Sequence, residues 1–121
     1  MNDFLSLLAR ILLSAIFIAA GAQKFFGYDG TVAYMAKYGV PGVLLPAVIA
    51  VEFFGGLAIL FGLGARWAAL ALAGFTIVAA ALFHRDFADP LMIAMFMKNL
   101  AISGGLLLLF VNGPGRFAIR D

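Results

Sequence analysis

The sequence predicts an all-α membrane protein: a bundle of four transmembrane helices, with a short interfacial helix between the first and second spans. Three observations carry this. Hydrophobic residues make up 65% of the 121-residue chain and charged residues 12%, about half the charged share of an average soluble domain. Mean hydropathy is +1.11, and a soluble domain this small has too much surface to hide so much apolar side chain. The apolar residues fall in continuous runs of about twenty, the length that crosses a bilayer as helix, whereas barrel strands are about ten residues long and alternate in polarity. Four such runs use roughly 80 positions. The remainder suffices for three loops and two short ends, so residues 1–121 are expected to form a single domain.

The first span is predicted over residues 4–26, broken only by Arg10, Gln23 and Lys24, with Ser14 as a mild polar step. A signal peptide is the competing reading: Arg10 closes a basic region, residues 11–19 form the apolar region, and Ala20-Gly21-Ala22 resembles a cleavage site. The apolar length ahead of Arg10 favours a retained helix. In residues 27–41, Val32, Met35 and Ala36 share one helical face, and Tyr34 and Tyr38 share another. A short helix at headgroup depth fits, ended by Gly39 and Pro41. The second span begins at Pro41 or Pro46, since either proline suits a first helical turn, and ends at residues 62–64. The third runs from Ala65 or Trp67 to Phe83. Trp67 beside Arg66 marks an interface, and His84-Arg85-Asp86 ends the span. Asp89-Pro90 reads as a cap followed by a first-turn proline, opening a fourth span to about Val111, and Asn112-Gly113-Pro114-Gly115 stops it. Small residues at spacing four (Ala15 and Ala19; Ala58 and Gly62; Ala65, Ala69 and Ala73; Ala101 and Gly105) favour close helix approach.

The net charge is +2 and the eight basic residues are scattered singly, which argues against nucleic acid as a partner. In a membrane protein, basic residues report orientation. Both ends fall on one side, side A, together with Arg10, Arg66, Arg116 and Arg120, against Lys24, Lys37 and Arg85 on side B. This small excess predicts that side A, with both termini, is cytoplasmic. The chain has no cysteine, which removes disulfides, thiolate metal sites and dithiol redox chemistry.

Polar residues within the spans are the site candidates, because each costs about 2.5–3.5 kcal/mol at a helix centre on insertion scales. Glu52 is the one acid within a span, roughly 9 Å from side B counted from Pro46. Lys98 lies roughly 12 Å in from Pro90, which makes it the expected counter-charge. Arg10 enters from side A and is expected to snorkel to headgroups or reach toward Glu52. The functional reading is a polar pocket open toward side B, with Glu52 at its centre, Lys98 and Asn99 on one wall, and Gln23, Lys24 and His84 at its mouth. Gly55, Gly56 and Ala101 would leave room, and Phe53, Phe54 and Phe96 would line it, suiting a flat apolar ligand such as a quinone headgroup that enters from lipid. The structural reading is an ion pair that fixes helix register, with phenylalanines that pack and face lipid. His84 alone supports neither a metal centre nor a haem, so no metal is expected and no catalytic residue is assigned.

Taken together, Arg10 and Gly21-Ala22-Gln23-Lys24-Phe25 in the first span, Glu52-Phe53-Phe54-Gly55-Gly56, and Gly62-Leu63-Gly64-Ala65-Arg66 form an ordered set with His84, Asn99 and Gly104-Gly105. In this set the chain resembles the DoxX family of small bacterial four-helix membrane proteins. The resemblance implies a multi-pass inner-membrane protein with Glu52, Arg10 and Lys98 as candidate pocket residues. Some relatives resemble membrane subunits of thiosulfate:quinone oxidoreductases or partners in oxidative-stress complexes. It therefore suggests a quinone as ligand, and membrane lipid, a redox protein or a second copy as partners. Without cysteine, any sulfur intermediate would belong to a partner or substrate. Three functions stand: a membrane subunit linked to quinone redox chemistry, a structural or assembly protein without catalysis, and a small transport-like protein that would need an oligomer to enclose a pore.

Overall fold

The computed structural model describes residues 3–84 and 86–119, so Arg85 and Arg120 of the orientation argument lie outside the described residues. Five α-helices follow in chain order: α1 (Asp3–Phe26), α2 (Tyr28–Lys37), α3 (Leu45–Phe61), α4 (Ala65–Phe83) and α5 (Pro90–Asn112). A 3-10 turn, Gly42–Leu44, leads into α3. Among the described residues, four stretches are long and apolar enough to span a bilayer: Asp3–Phe26, Gly42–Phe61, Ala65–Phe83 and Pro90–Asn112. The short helix α2 sits between the first two spans.

Local chemistry sets the boundaries. Pro46 rather than Pro41 occupies the first turn of α3. Gly62 ends that helix in the left-handed region at φ +69, and the Leu63 amide donates back to the Ala58 carbonyl at 2.9 Å. Asp89 caps α5, its Oδ1 accepting from the Leu91 amide at 3.0 Å.

The helices form a ring in which α1 packs on α3, α3 on α4, and α4 on α5, while α1 meets α5 only sparsely. The α1–α3 seam is tight because two glycines face it. A Cβ at Gly21 would lie 2.9 Å from Phe53 Cβ, and one at Gly56 would lie 2.8 Å from Ile18 Cγ1. Ala15 and Ala19, expected to serve a close approach, face outward instead. On α4 the expected small face does pack: Ala65, Ala69 and Ala73 are buried, and around Ala69 and Ala73 the core gathers Phe17, Ile59, Leu72 and Leu106. Polar side chains tie α5 to α4: Asn99 Nδ2 donates to the Thr76 carbonyl at 3.3 Å, and Ser103 Oγ reaches the Ala73 carbonyl at 3.4 Å.

Arg10 departs from its expected place. It is 1% exposed and does not snorkel. Nη1 donates to the carbonyls of Ile59 and Leu60, each at 3.2 Å, and Nη2 donates to the Phe117 carbonyl. The last carbonyls of α3 lack intrahelical partners and carry the negative end of the helix dipole, so a guanidinium is well matched there. The C-terminal segment joins the same knot: the Ile119 amide donates to the Phe61 carbonyl at 3.0 Å, and the Arg116 amide donates to Asp3 Oδ1 at 3.1 Å. The beginning and end of the described chain thus meet at side A.

Candidate functional site

A cavity of about 440 Å³ occupies the side-B half of the bundle. Its wall is mainly apolar, with Phe17 from α1, Val48 from α3, Phe75 and Leu82 from α4, and Ile102 from α5. Helix α2 contributes Thr31, Tyr34 and Met35, and Met35 is 4% exposed. Tyr34 stacks on Phe83 with ring centroids 5.6 Å apart, and Tyr38 meets the same ring edge-on at 5.3 Å. The tyrosine face expected at headgroup depth is thus used partly to hold α2 against the end of α4. Burial, reinforced by a hydrogen bond with Tyr38, raises the Tyr34 phenol above its ordinary value of 10.0.

The polar part of the wall holds most of the sequence candidates. Glu52, Lys24, His84, Lys98 and Asn99 all line this cavity. Glu52, however, pairs with Lys24, not Lys98: Lys24 Nζ lies 2.7 Å from Glu52 Oε1, with side-chain exposures of 31% and 8%. The physical reason is the glycine seam. With Gly21 against Phe53, α1 runs close enough to α3 for the Lys24 stem to fold inward along the cavity. Lys98 belongs to α5, which packs on α4, and its charge acts on His84. Burial first, and Lys98 second, lower the His84 imidazole below its ordinary 6.5.

Other candidates lie elsewhere. Gln23 is exposed and lines a second hollow of about 320 Å³ with Gly27 and Gly30; Lys24, Thr31 and Tyr34 border both spaces. Arg10 is at the opposite end, in the side-A knot. Phe53, Phe54 and Phe96 do not line the cavity; Phe17, Phe75 and Phe83 do. Phe53 lies on the α1 seam, Phe54 is 64% exposed, and Phe96 meets Phe87 edge-on. Gly55 and Gly56 leave no void either, because the Leu72 side chain and Ile18 fill the space beside them, and Ala101 is exposed. The sequence reading missed Thr76, which also lines the cavity. Its signal was present: it is the one hydroxyl residue in the alanine-rich third span.

Four apolar spans around a largely apolar cavity bordered by Lys24, Glu52 and Lys98 define a small multi-pass membrane protein with an internal cavity. The chain belongs to the DoxX family, whose family model matches residues 5–85. It is 55% identical over 119 residues, covering 98% of this chain and 92% of the relative, to "Inner membrane protein YqjF" of Escherichia coli (strain K12). It is 39% identical to "Inner membrane protein YphA" of the same organism over 95% of this chain and 87% of that one. It is 34% identical to "Putative oxidoreductase CatD" of Bacillus subtilis (strain 168), over 50% of this chain and 46% of that protein. No solved structure matches the chain significantly.

Proposed function

We propose that this protein is an inner-membrane subunit or partner in quinone-linked redox chemistry, and that it holds a quinone headgroup beside Glu52. The cavity carries this reading. At about 440 Å³ it falls within the span of about 300–1,000 Å³ usual for ligand sites, and it combines an apolar wall with a few convergent polar groups. The Lys24 ammonium can donate to a quinone carbonyl, and the Glu52 carboxylate can accept from the hydroxyl of the reduced form. The name of the CatD relative, a putative oxidoreductase, points the same way. With no cysteine in the chain, a partner redox protein would supply the electron-transfer centre. The names of YqjF and YphA support the inner membrane as its location, and the basic excess at side A supports cytoplasmic termini.

The Lys24–Glu52 pair also favours a second reading, in which it only locks α1 to α3 and the protein is an assembly element. A transport path through one copy is disfavoured, because Arg10 and the C-terminal segment fill the side-A end. The discriminating measurement is thermal stability in mild detergent with 2-decyl-1,4-benzoquinone. The quinone should stabilise the wild type but not Glu52→Gln. An equal shift in both removes the pocket from consideration and leaves the structural reading.

A further inference from the structure

Thr76 is 4% exposed, and its hydroxyl has no hydrogen-bond partner among the described residues. Other hydroxyls on these helices behave differently: Ser14 donates to the Ile11 carbonyl, Thr31 to Gly27, and Ser103 to Asn99, each on its own helix or its cap. That local bond is the default outlet for a helical hydroxyl in an apolar setting, and Thr76 forgoes it. It lines the cavity instead. Its depth is also matched to Glu52. Glu52 lies seven residues from the side-B end of α3, and Thr76 lies seven from the side-B end of α4, so both sit roughly 10 Å in at 1.5 Å per residue. His84, at the end of α4, borders the same space. Among the polar groups of the cavity wall, which include Lys98 and Asn99 of α5, the Lys24–Glu52 pair on the α1–α3 side and the unpartnered Thr76 hydroxyl on the α4 side thus form two stations at matched depth.

We infer that Thr76 is a ligand-binding residue, and that the ligand's ring carries oxygen at two opposite positions, one held by Lys24–Glu52 and the other by Thr76. This rests on the reading of the cavity as a site for a quinone-like head, and it narrows that class to 1,4-dioxygenated rings. A ring with a single oxygen leaves one station empty. The threonine hydroxyl both donates and accepts, so it serves either the carbonyl of the oxidised ring or the hydroxyl of the reduced one.

The test is titration of purified protein in detergent with 2-decyl-1,4-hydroquinone and with 2-decylphenol and 3-decylphenol, which each lack one of its hydroxyls. Thr76→Val should weaken hydroquinone binding by about fivefold, the net worth of one uncharged hydrogen bond, and Thr76→Ser should restore it. The phenol that occupies only the Lys24–Glu52 station should bind wild type and Thr76→Val equally. The melting temperature without ligand is the structural control. Thr76→Val should keep or raise it, because valine fills the same volume without a buried unpaired hydroxyl. Equal hydroquinone affinity in wild type and Thr76→Val overturns the inference while leaving the quinone site standing. A drop in ligand-free melting temperature for Thr76→Val, relieved by serine, overturns it by making the hydroxyl structural. If neither the hydroquinone nor the benzoquinone binds the wild type, the quinone reading falls and this inference falls with it.

Discussion

Glu52 shows what residue-level arithmetic delivers. Helix rise gives depth, so a buried carboxylate in the side-B half was readable from Pro46 onward. Depth does not give azimuth, and the partner depends on which helices adjoin. That is why Lys24 takes the role expected of Lys98, and why Arg10 caps α3 instead of reaching headgroups. Removing one partner of a buried ion pair costs about 3–5 kcal/mol, and the lower end applies here because Lys24 keeps part of its side chain exposed. Glu52→Gln and Lys24→Met should each lower thermal stability, and the double variant should recover much of the loss. Lys98→Met with Glu52→Gln should simply add, as uncoupled sites do; melting temperatures of the wild type and the five variants decide it. His84 yields a prediction about pH. Its imidazole is held below 6.5 by burial and by Lys98, with the Lys24–Glu52 pair bordering the same cavity. The unfolded chain therefore binds this proton first as pH falls. Stability from neutral His84 is present above 6.5 and is lost as pH falls from there through the lowered folded-state value. In a melting series from about pH 7.5 to 5, His84→Gln should flatten part of the decline.

At the scale of elements, the boundaries were legible because their signals are local. Asp89 caps α5 as its sequence position suggests, Gly62 turns left-handed where the second span was expected to stop, and α2 forms between the first two spans. Helix contacts were less legible, because any alanine-rich span offers several small faces and the chain uses only some. Glycine, not alanine, makes the α1–α3 approach. A methyl at Gly21 would press on the Phe53 backbone nitrogen at 3.0 Å, and one at Gly56 on the Ile18 nitrogen at 3.1 Å, so neither contact can give way by a side-chain turn. Gly21→Ala and Gly56→Ala should each cost about 1–3 kcal/mol by forcing the helices apart. They should also loosen the Lys24–Glu52 pair that this seam brings together. Gly104 is the control: a Cβ there meets nothing within 4 Å, so Gly104→Ala should be neutral or stabilising by up to about 1 kcal/mol. Equal melting temperatures for Gly21→Ala and Gly104→Ala would contradict the tight seam.

At the scale of the whole molecule, the two ends of the bundle are built differently. Side A is sealed by Arg10, the turn at Gly62 and the C-terminal segment, whereas the side-B half holds the cavity under α2. This difference changes the charge count behind the proposed orientation. Arg10 is consumed by carbonyls of α3 and of the C-terminal segment, and Lys24 by Glu52, so neither acts as a free interfacial charge. What remains is Arg66, Arg116 and Arg120 at side A against Lys37 and Arg85 at side B. The excess survives the removal of the buried Arg10 and the ion-paired Lys24, and short loops beside the spans are where such charges set orientation. Arg66 further anchors at its interface, donating to the Phe110 carbonyl at 2.8 Å with its guanidinium over the Phe110 ring. Both termini should therefore face the cytoplasm and the start of α2 the opposite compartment. The chain is free of cysteine, so Ile119→Cys and Asp29→Cys each introduce a sole thiol, both at exposed positions. In intact spheroplasts, a membrane-impermeant maleimide should label the cysteine at 29, and should label the one at 119 only after lysis. Labelling of 119 but not 29 would invert the orientation. Labelling of both before lysis would contradict an arrangement in which these two positions lie across the membrane from each other.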